Sequence, residues 1–180
     1  MTIEEQIYQH SVQHPDSIAL ITPAEQVTYA QLWERCLLAA SNVKHQHGVK
    51  QGDRIILAAS ANIDFVYAYF GVHLAGGVCV PIDPDTNQTR YELICQSTKP
   101  VCTMGVLHKV KDCPVVPLHD VQTPCEQTLA YQQPNAEQIA DILFTTGTTG
   151  APKGVALNYR NLAAAALNIN TFIQNTAEDI

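Results

Sequence analysis

Short apolar runs alternate with stretches of helical periodicity along most of the chain. The apolar runs predict strands at six places: 18–21, 54–59, 78–81, 101–106, 115–116 and 139–144. Around the first three runs, apolar residues recur every three or four positions and predict helices near 1–14, 28–48 and 63–75. Strands that alternate with helices in this order predict parallel pairing through crossover connections. The sequence therefore predicts an α/β fold, with a mostly parallel sheet and flanking helices.

Residues typical of helix starts mark several of these boundaries. Thr28 and Gln31 form a capping-box pattern, and Asn62 stands directly before the helix that begins near residue 63. Thr89 and Glu92 form the same pattern and predict a short helix that ends near residue 96. These side chains can accept the free N–H groups of a first helical turn, so they predict where each helix begins.

The chain between residues 100 and 138 is less regular than the rest. The polar stretch 123–134 contains two prolines and three glutamines and predicts a loop. Asn158 is a cap candidate for a final helix. Six apolar residues share one face of that helix, which we expect to point inward: Leu162, Ala165, Ala166, Ile169, Phe172 and Ile173.

Composition and charge narrow the class of protein. With 180 residues, 46% of them hydrophobic and 15% charged, the chain fits one globular domain. A net charge of −7 argues against binding of nucleic acid, because neutralising its phosphates needs clustered lysine and arginine. Glu4 and Glu5 stand where a signal peptide would be basic, and no apolar run approaches the length of a membrane span. We therefore expect a cytoplasmic protein without a membrane span.

The cysteines and histidines do not predict a metal centre. Six cysteines occur without a C-x-x-C pair, and Cys36, Cys79 and Cys95 fall within apolar or helical patterns, which favours reduced and mostly buried thiols. His45 and His47 are close in sequence, but side chains two positions apart on a helix face different directions. A metal site at this pair is therefore not expected.

The strongest chemical signal is the stretch 145–154, which has the sequence TTGTTGAPKG. It directly follows the apolar run 139–144, so we expect a loop at the end of a buried strand. Its glycines allow positive φ and close approach of a ligand to the main chain, whose successive N–H groups can form a concave anion site. The threonine hydroxyls add donors, and Lys153 adds a mobile positive charge. This combination predicts a loop that holds a polyphosphate.

Two common phosphate motifs do not fit this loop. The Walker pattern G-x-x-x-x-G-K-[ST], counted from Gly147, requires glycine at position 152, which is proline, and serine or threonine at position 154, which is glycine. The dinucleotide pattern G-x-G-x-x-G fails because Thr148 and Thr149 separate Gly147 from Gly150. The remaining alternative is a surface turn without a ligand, which the strand, the donors and the cation together disfavour.

The stretch 145–154 resembles the phosphate-binding signature of the AMP-forming acyl-adenylate enzymes, which include acyl-CoA synthetases, adenylation domains of peptide synthetases and luciferases. The segments 27–32 and 74–83 also resemble core segments of that family. Both are expected to be structural, and Asp83 is expected to stabilise a turn between prolines. Tyr159 departs from the family pattern, in which histidine often precedes the Arg-Asn pair after the loop.

The resemblance implies an enzyme that activates a carboxylic acid with ATP and Mg²⁺, releases pyrophosphate and transfers the acyl group to coenzyme A or another thiol. It implies positional catalysis, so no acid–base catalytic residue and no metal-binding residue is expected within the chain. Seven loop residues are expected to hold the β- and γ-phosphates: Thr145, Thr146, Gly147, Thr148, Thr149, Gly150 and Lys153.

The same resemblance implies that residues 1–180 are the N-terminal part of an AMP-binding domain, which is incomplete at its C-terminal end. They would form the first part of the large N-terminal domain of such an enzyme. The adenine, ribose, metal and acyl contacts are then expected downstream, and the chain is expected to be inactive alone. An interrupted sheet would expose an edge, from which we expect self-association. The alternatives are a naturally short nucleotide-binding module without catalysis, one half of a split enzyme, or a structural remnant without a ligand.

Overall fold

The computed structural model describes residues 1–106, 108–111, 113–145, 152–174 and 176. The helices are α1 (Ile3–Gln13), α2 (Tyr29–His45), α3 (Ile63–Leu74), α4 (Gln88–Thr98) and α5 (Tyr159–Ile173), with a 3-10 helix at Leu118–Gln122. The strands are β1 (Ile18–Ile21), β2 (Gln26–Thr28), β3 (Arg54–Ala58), β4 (Val78–Ile82), β5 (Cys102–Met104), β6 (Val115–Val116), β7 (Ile139–Thr145) and β8 (Lys153–Asn158). Each strand predicted from an apolar run is therefore present.

The main sheet has six strands in the order β6–β5–β3–β4–β7–β8, and β1 pairs with β2 in a separate antiparallel hairpin. The strands from β6 to β7 run parallel, whereas β8 returns antiparallel to β7. The predicted α/β class with a mostly parallel sheet is thus confirmed. The return of β8 has a simple cause, because a parallel crossover needs about a dozen residues or more and the connection 146–152 is shorter.

Helices bury both faces of the sheet at its centre. In β3, Ile55 and Leu57 belong to a core shared with α2 and α3, whereas Ile56 and Ala58 belong to a second core shared with α4. Side chains alternate along a strand, so this division places the two cores on opposite faces. All four residues are buried, as is typical of a central strand in a parallel sheet.

Most of the predicted helix starts are confirmed. Thr28 and Gln31 exchange side-chain-to-backbone hydrogen bonds at the start of α2, and Asn62 caps α3. Asn158 caps α5 in a further capping box, with Asn161 as its partner. The stretch 123–134 carries neither helix nor strand, as predicted, but the 3-10 helix before it was not expected.

The start of α4 corrects the capping box predicted at Thr89. The helix begins at Gln88, and the side chain of Asn87 accepts a hydrogen bond from the Arg90 N–H at 2.9 Å. Asparagine is preferred over threonine as an N-cap, so the earlier residue takes this role. Glu92 bonds the side chain of Gln88 and does not reach back to a cap.

The final helix corrects the expectation of an inward apolar face. Within the described chain, no element covers the second half of α5, although its first turn packs through the buried Tyr159. Amphipathic spacing shows which face prefers burial, but the covering element must come from elsewhere. Four large apolar residues are consequently more than half exposed: Leu167 at 66%, Ile169 at 58%, Phe172 at 90% and Ile173 at 58%.

The strand β7 is only partly buried, although its apolar sequence predicted a buried strand. Ala140 and Asp141 are buried, whereas Ile139 and Leu143 are 46% and 39% exposed. Asp141 and Leu143 share one face of the strand by alternation, which a β-bulge interrupts between Ile139 and Asp141. Tyr69 and His73 of α3 cover this face at Asp141.

Most of the cysteine side chains are buried, as the sequence predicted. All six cysteines are free, and Cys36, Cys79, Cys95 and Cys102 are buried. Burial raises the pKa of the Cys36 and Cys79 thiols above the ordinary range, which makes them poor nucleophiles near neutral pH. Among the described residues, no helix combines the length and the apolar character needed to cross a bilayer.

Candidate phosphate-binding site

The hairpin of β7 and β8 positions both described ends of the predicted phosphate loop. Thr145 is the last residue of β7, Lys153 is the first residue of β8, and the two face each other across the antiparallel ladder. Both residues are exposed. The loop therefore leaves and re-enters the sheet at one point, at the carboxyl end of a parallel strand, where open α/β sheets bind their ligands.

The structure places two of the seven residues predicted to hold phosphates. Thr145 and Lys153 lie together at the base of the loop. The phosphate-binding role of all seven residues stays a prediction. Five of them lie outside the described residues: Thr146, Gly147, Thr148, Thr149 and Gly150.

Gly154 closes the base of the hairpin where there is no room for a side chain. It pairs with Phe144, and a Cβ atom at this position would lie 2.9 Å from Ile142 Cγ2 and 3.2 Å from Phe144 Cζ. A larger residue would displace these side chains or the hairpin itself. Packing alone therefore favours glycine at position 154, whether or not a ligand binds.

A cleft of about 360 Å³ opens beside Phe144, between the carboxyl ends of β4 and β7 and the start of α4. Asp83 and Arg90 contribute charged groups of opposite sign to its walls. The Asp83 carboxylate accepts a hydrogen bond from the Asp85 N–H at 2.8 Å, which confirms the predicted turn-stabilising role of Asp83. Arg90 reaches across the cleft and donates to the carbonyl oxygen of Phe144 at 3.4 Å.

A cluster of polar side chains contacts β7 at Asp141, on the strand that leads into the loop. His73 Nδ1 lies 2.8 Å from Glu4 Oε1, and His73 Nε2 lies 3.1 Å from Asp141 Oδ1. The Tyr69 hydroxyl donates to the second oxygen of Asp141 at 2.7 Å, and the Tyr159 hydroxyl donates to the backbone carbonyl of His73 at 3.2 Å. These five residues join α1, α3, β7 and α5, so the cluster connects four elements near the end of the β7–β8 ladder that lies away from the loop.

The two carboxylates keep His73 protonated. Burial by itself lowers the pKa of His73, but the hydrogen bonds and charges of Asp141 and Glu4 outweigh this effect and raise the pKa to about 9. Burial, with the neighbouring Asp141 charge, raises the pKa of Tyr69 above its ordinary range, so the phenol remains a donor. Glu4, His73 and Asp141 are buried, so the charged groups of the cluster act on β7 from the interior.

The cluster was not predicted from the sequence, although two polar residues in apolar elements indicated it. Asp141 interrupts an apolar strand and His73 interrupts an apolar helix, and buried charged groups require partners. The partners could not be named, because Glu4 and Asp141 are far from His73 in the sequence. The cluster also gives Tyr159, the departure from the family pattern, a structural role.

No group of three or more histidine, cysteine, aspartate and glutamate residues in the described ranges is arranged to hold a metal ion. Lys153 lies at the base of the loop, and Arg90 spans a cleft that Asp83 and Asp85 also line. The two cations suit an anionic ligand at the end of β7.

The sequence is similar to those of a known ligase and a known synthase. It is 29% identical over 170 residues to 2-succinylbenzoate–CoA ligase of Bacillus cereus (strain Q1), across 92% of this chain and 35% of the relative. It is 28% identical over 165 residues to gramicidin S synthase 2 of Brevibacillus brevis, across 89% of this chain and 4% of the relative. The chain thus spans about a third or less of the length of these relatives.

The fold is similar to those of solved adenylate-forming enzymes. O-succinylbenzoate coenzyme A synthetase from Bacillus subtilis, in complex with AMP, matches with a TM-score of 0.86 at 19% identity, over 98% of this chain and 47% of that chain. Fatty acyl-adenylate ligase from L. pneumophila, in complex with acyl adenylate and pyrophosphate, matches with a TM-score of 0.80 at 21% identity, over 97% of this chain and 33% of that chain. At these identities the likeness shows the fold alone.

The model of the AMP-binding enzyme family matches residues 7–180. That range includes the loop 145–154 and both further segments that resemble the family. Since the match spans nearly the whole chain, the protein belongs to the AMP-binding enzyme family, within the acyl-adenylate-forming superfamily.

Proposed function

We propose that residues 1–180 form the N-terminal part of the AMP-binding domain of an ATP-dependent carboxylic acid ligase. The observation that carries the proposal is the hairpin, which pairs Thr145 with Lys153 at the carboxyl end of β7. Membership of the AMP-binding enzyme family and the fold likeness to ligases support the same function. The chain spans only part of such relatives, so the activity belongs to the whole protein.

In this role the loop binds the β- and γ-phosphates of ATP. Lys153 supplies a positive charge, the threonine hydroxyls and the main-chain N–H groups supply donors, and the hairpin holds both ends of the loop together. Six loop residues act with Lys153: Thr145, Thr146, Gly147, Thr148, Thr149 and Gly150.

The proposed reaction has two steps. A carboxylate oxygen of the substrate attacks the α-phosphorus of ATP, an acyl-phosphate bond forms, and the bond to pyrophosphate breaks. A thiol, from coenzyme A or another carrier, then attacks the acyl carbon and AMP leaves. The loop contributes by neutralising the charge that develops on the leaving pyrophosphate, which is electrostatic stabilisation without proton transfer.

Mg²⁺ accompanies ATP in the proposed reaction. The described residues offer no cluster of metal ligands, and the phosphate oxygens of ATP would hold the ion. Its charge would share with Lys153 the neutralisation of the phosphates.

A second candidate is a naturally short nucleotide-binding module, or one half of a split enzyme. The chain spans 35% of the Bacillus cereus ligase, and both candidates are compatible with this share. The intact mass of the native polypeptide separates the two candidates. A mass well above 19.7 kDa supports the ligase, and a mass equal to it supports the short module.

Titration calorimetry with Mg-ATP tests the loop assignment. We expect Lys153→Ala and Thr148→Ala each to weaken binding about tenfold, the equivalent of losing one charge-assisted contact. Lys44→Ala removes an exposed lysine of α2 and should leave the affinity unchanged. Equal affinities of the parent chain, Lys153→Ala and Thr148→Ala would show the assignment to be wrong.

The chain alone is expected to show no ATP–pyrophosphate exchange, and detectable exchange would contradict its dependence on a downstream part.

A further inference from the structure

The ladder between β4 and β7 ends early, at a proline. Val78 and Ile82 direct their main-chain hydrogen bonds to residues that flank β3. Main-chain groups alternate in direction along a strand, so Cys79 and Pro81 face β7. Cys79 forms a register pair with Asp141, but Pro81 has no N–H group to donate. Beyond Asp141, β4 therefore lacks a donor for β7.

A cleft opens where the ladder stops, and one side chain spans it. Pro81 and Phe144 line this cleft of about 360 Å³. Arg90, in the first turn of α4, donates from Nη2 to the Phe144 carbonyl oxygen at 3.4 Å. The next residue is Thr145, with which the phosphate loop begins. Arg90 thus bonds the last carbonyl of β7 before the loop.

Arg90 is held in place for this contact. Its own N–H donates to the Asn87 side chain at 2.9 Å, and α4 packs its inner face on the sheet. The Arg90 side chain is half-buried and forms no ion pair within the described residues, although Asp83 and Asp85 line the same cleft. The carbonyl of Phe144 is therefore the partner that the structure gives to this guanidinium.

We propose that Arg90 is a positioning residue of the phosphate loop, because its side chain donates to the Phe144 carbonyl oxygen beyond the point where the β4–β7 ladder ends. It acts on the end of β7, from which Thr145 and the loop depart, and does not touch the nucleotide. The effect on nucleotide binding rests on the proposed function, whereas the effect on loop order does not. The two can therefore be tested separately.

Arg54→Met provides a matched control for Arg90→Met. The guanidinium of Arg54 also bonds main-chain carbonyls, those of Thr98 at 2.7 Å and Lys99 at 3.2 Å, but its partners lie at the end of α4 and not on β7. Both variants lose a guanidinium–carbonyl contact and one positive charge. A difference between them at the loop consequently reports position and not general destabilisation.

Hydrogen–deuterium exchange of residues 144–154, measured without nucleotide, is the first measurement. We expect exchange about tenfold faster in Arg90→Met, a parental rate in Arg54→Met, and partial restoration in Arg90→Lys, which retains an N–H donor. An unchanged rate in Arg90→Met would overturn the inference. Arg90→Lys also serves as the test variant if Arg90→Met does not fold, with exchange above the parental rate expected.

Mg-ATP titration of the same proteins is the second measurement. We expect about tenfold weaker binding by Arg90→Met and parental affinity in Arg54→Met. Parental affinity in a folded Arg90→Met would overturn the effect on binding and leave Arg90 a structural residue. Failure of the parent chain to bind Mg-ATP would instead contradict the proposed function, and the exchange measurement would still decide whether Arg90 orders the loop.

Discussion

Asp141 Oδ1 lies 3.1 Å from His73 Nε2, and both side chains are buried between β7 and α3. Glu4 approaches the other ring nitrogen at 2.8 Å, so a protonated imidazole lies between two carboxylates. Removing one member of such a cluster leaves an uncompensated charge in the interior, which costs more than the contact itself. Because β7 also carries Thr145, this cluster fixes the strand from which the phosphate loop departs.

Asp141→Asn is expected to lower the free energy of unfolding by about 3–5 kcal/mol, the usual cost of breaking a buried ion pair. Urea denaturation at pH 7 measures this change. Glu137→Gln is the matched control, because it removes a carboxylate from the exposed pair with Arg160 at 2.9 Å. The control should cost less than about 1 kcal/mol. Similar small losses in both variants would show that the buried cluster contributes no more than a surface pair.

Stability is expected to fall as the pH rises toward 9. Below the ordinary histidine pKa of about 6.5, His73 is protonated in both folded and unfolded chains and its stabilisation is complete. Above that value the unfolded chain releases the proton first, so the free energy of unfolding decreases with pH. The decrease ends as the pH passes the folded pKa of about 9. Over this window the loss amounts to roughly 3 kcal/mol.

Denaturation curves between pH 6 and 10 measure this dependence in the parent chain and in His73→Gln. The phenols of Tyr69 and Tyr159 also face His73, but their pKa values are raised by burial, so they do not titrate in the window. The slope between pH 6.5 and 9 should shrink in the variant. A parent stability that is flat across this range would contradict the assigned charge of His73. Asp141→Asn, which removes one carboxylate, should shift the fall to lower pH if His73→Gln does not fold.

Much of the fold could be predicted because its signals are local. Caps such as Asn62 and the Thr28–Gln31 pair act within one helical turn, and apolar runs show strands directly. The exposed face of α5 was mispredicted for the opposite reason: Phe172 is apolar in a helical pattern, but a pattern does not show whether another element covers it. The predicted start of α4 was wrong by two residues, because Asn87 and not Thr89 is the cap.

The candidate site could also be predicted only where its signals are local in the sequence. Thr145 and Lys153 were predicted from the motif, and the short hairpin then brings them together. Arg90 could not be predicted, because its partner is a main-chain carbonyl that the sequence does not specify and that lies on a distant strand. The place of that contact, beyond the last pair between β4 and β7, depends on the strand order and register, which the sequence does not reveal.

The corrected start of α4 gives a direct test of the cap. Asn87→Ala is expected to lower the free energy of unfolding by about 1 kcal/mol, because the Arg90 N–H loses its acceptor. Thr89→Ala lies in the first turn and should change it by less than about 0.5 kcal/mol. Thermal and urea denaturation of the two variants give the comparison. A larger loss in Thr89→Ala than in Asn87→Ala would restore the cap that the sequence pattern indicated.

The exposed face of α5 predicts self-association of the 180-residue chain. Phe172 is 90% exposed and Ile169 is 58% exposed, and clustered apolar surface favours contact between copies. Sedimentation velocity at increasing concentration should show masses above 19.7 kDa for the parent, and a largely monomeric Ile169→Ser/Phe172→Ser variant. Asn168→Ser, an exposed polar change on the same helix, should associate like the parent.

Val155→Lys tests the alternative contact site, the edge strand β8, where Val155 is 47% exposed. Loss of association in Val155→Lys alone would place the contact at the sheet edge, and a parent that stays monomeric throughout would contradict the prediction.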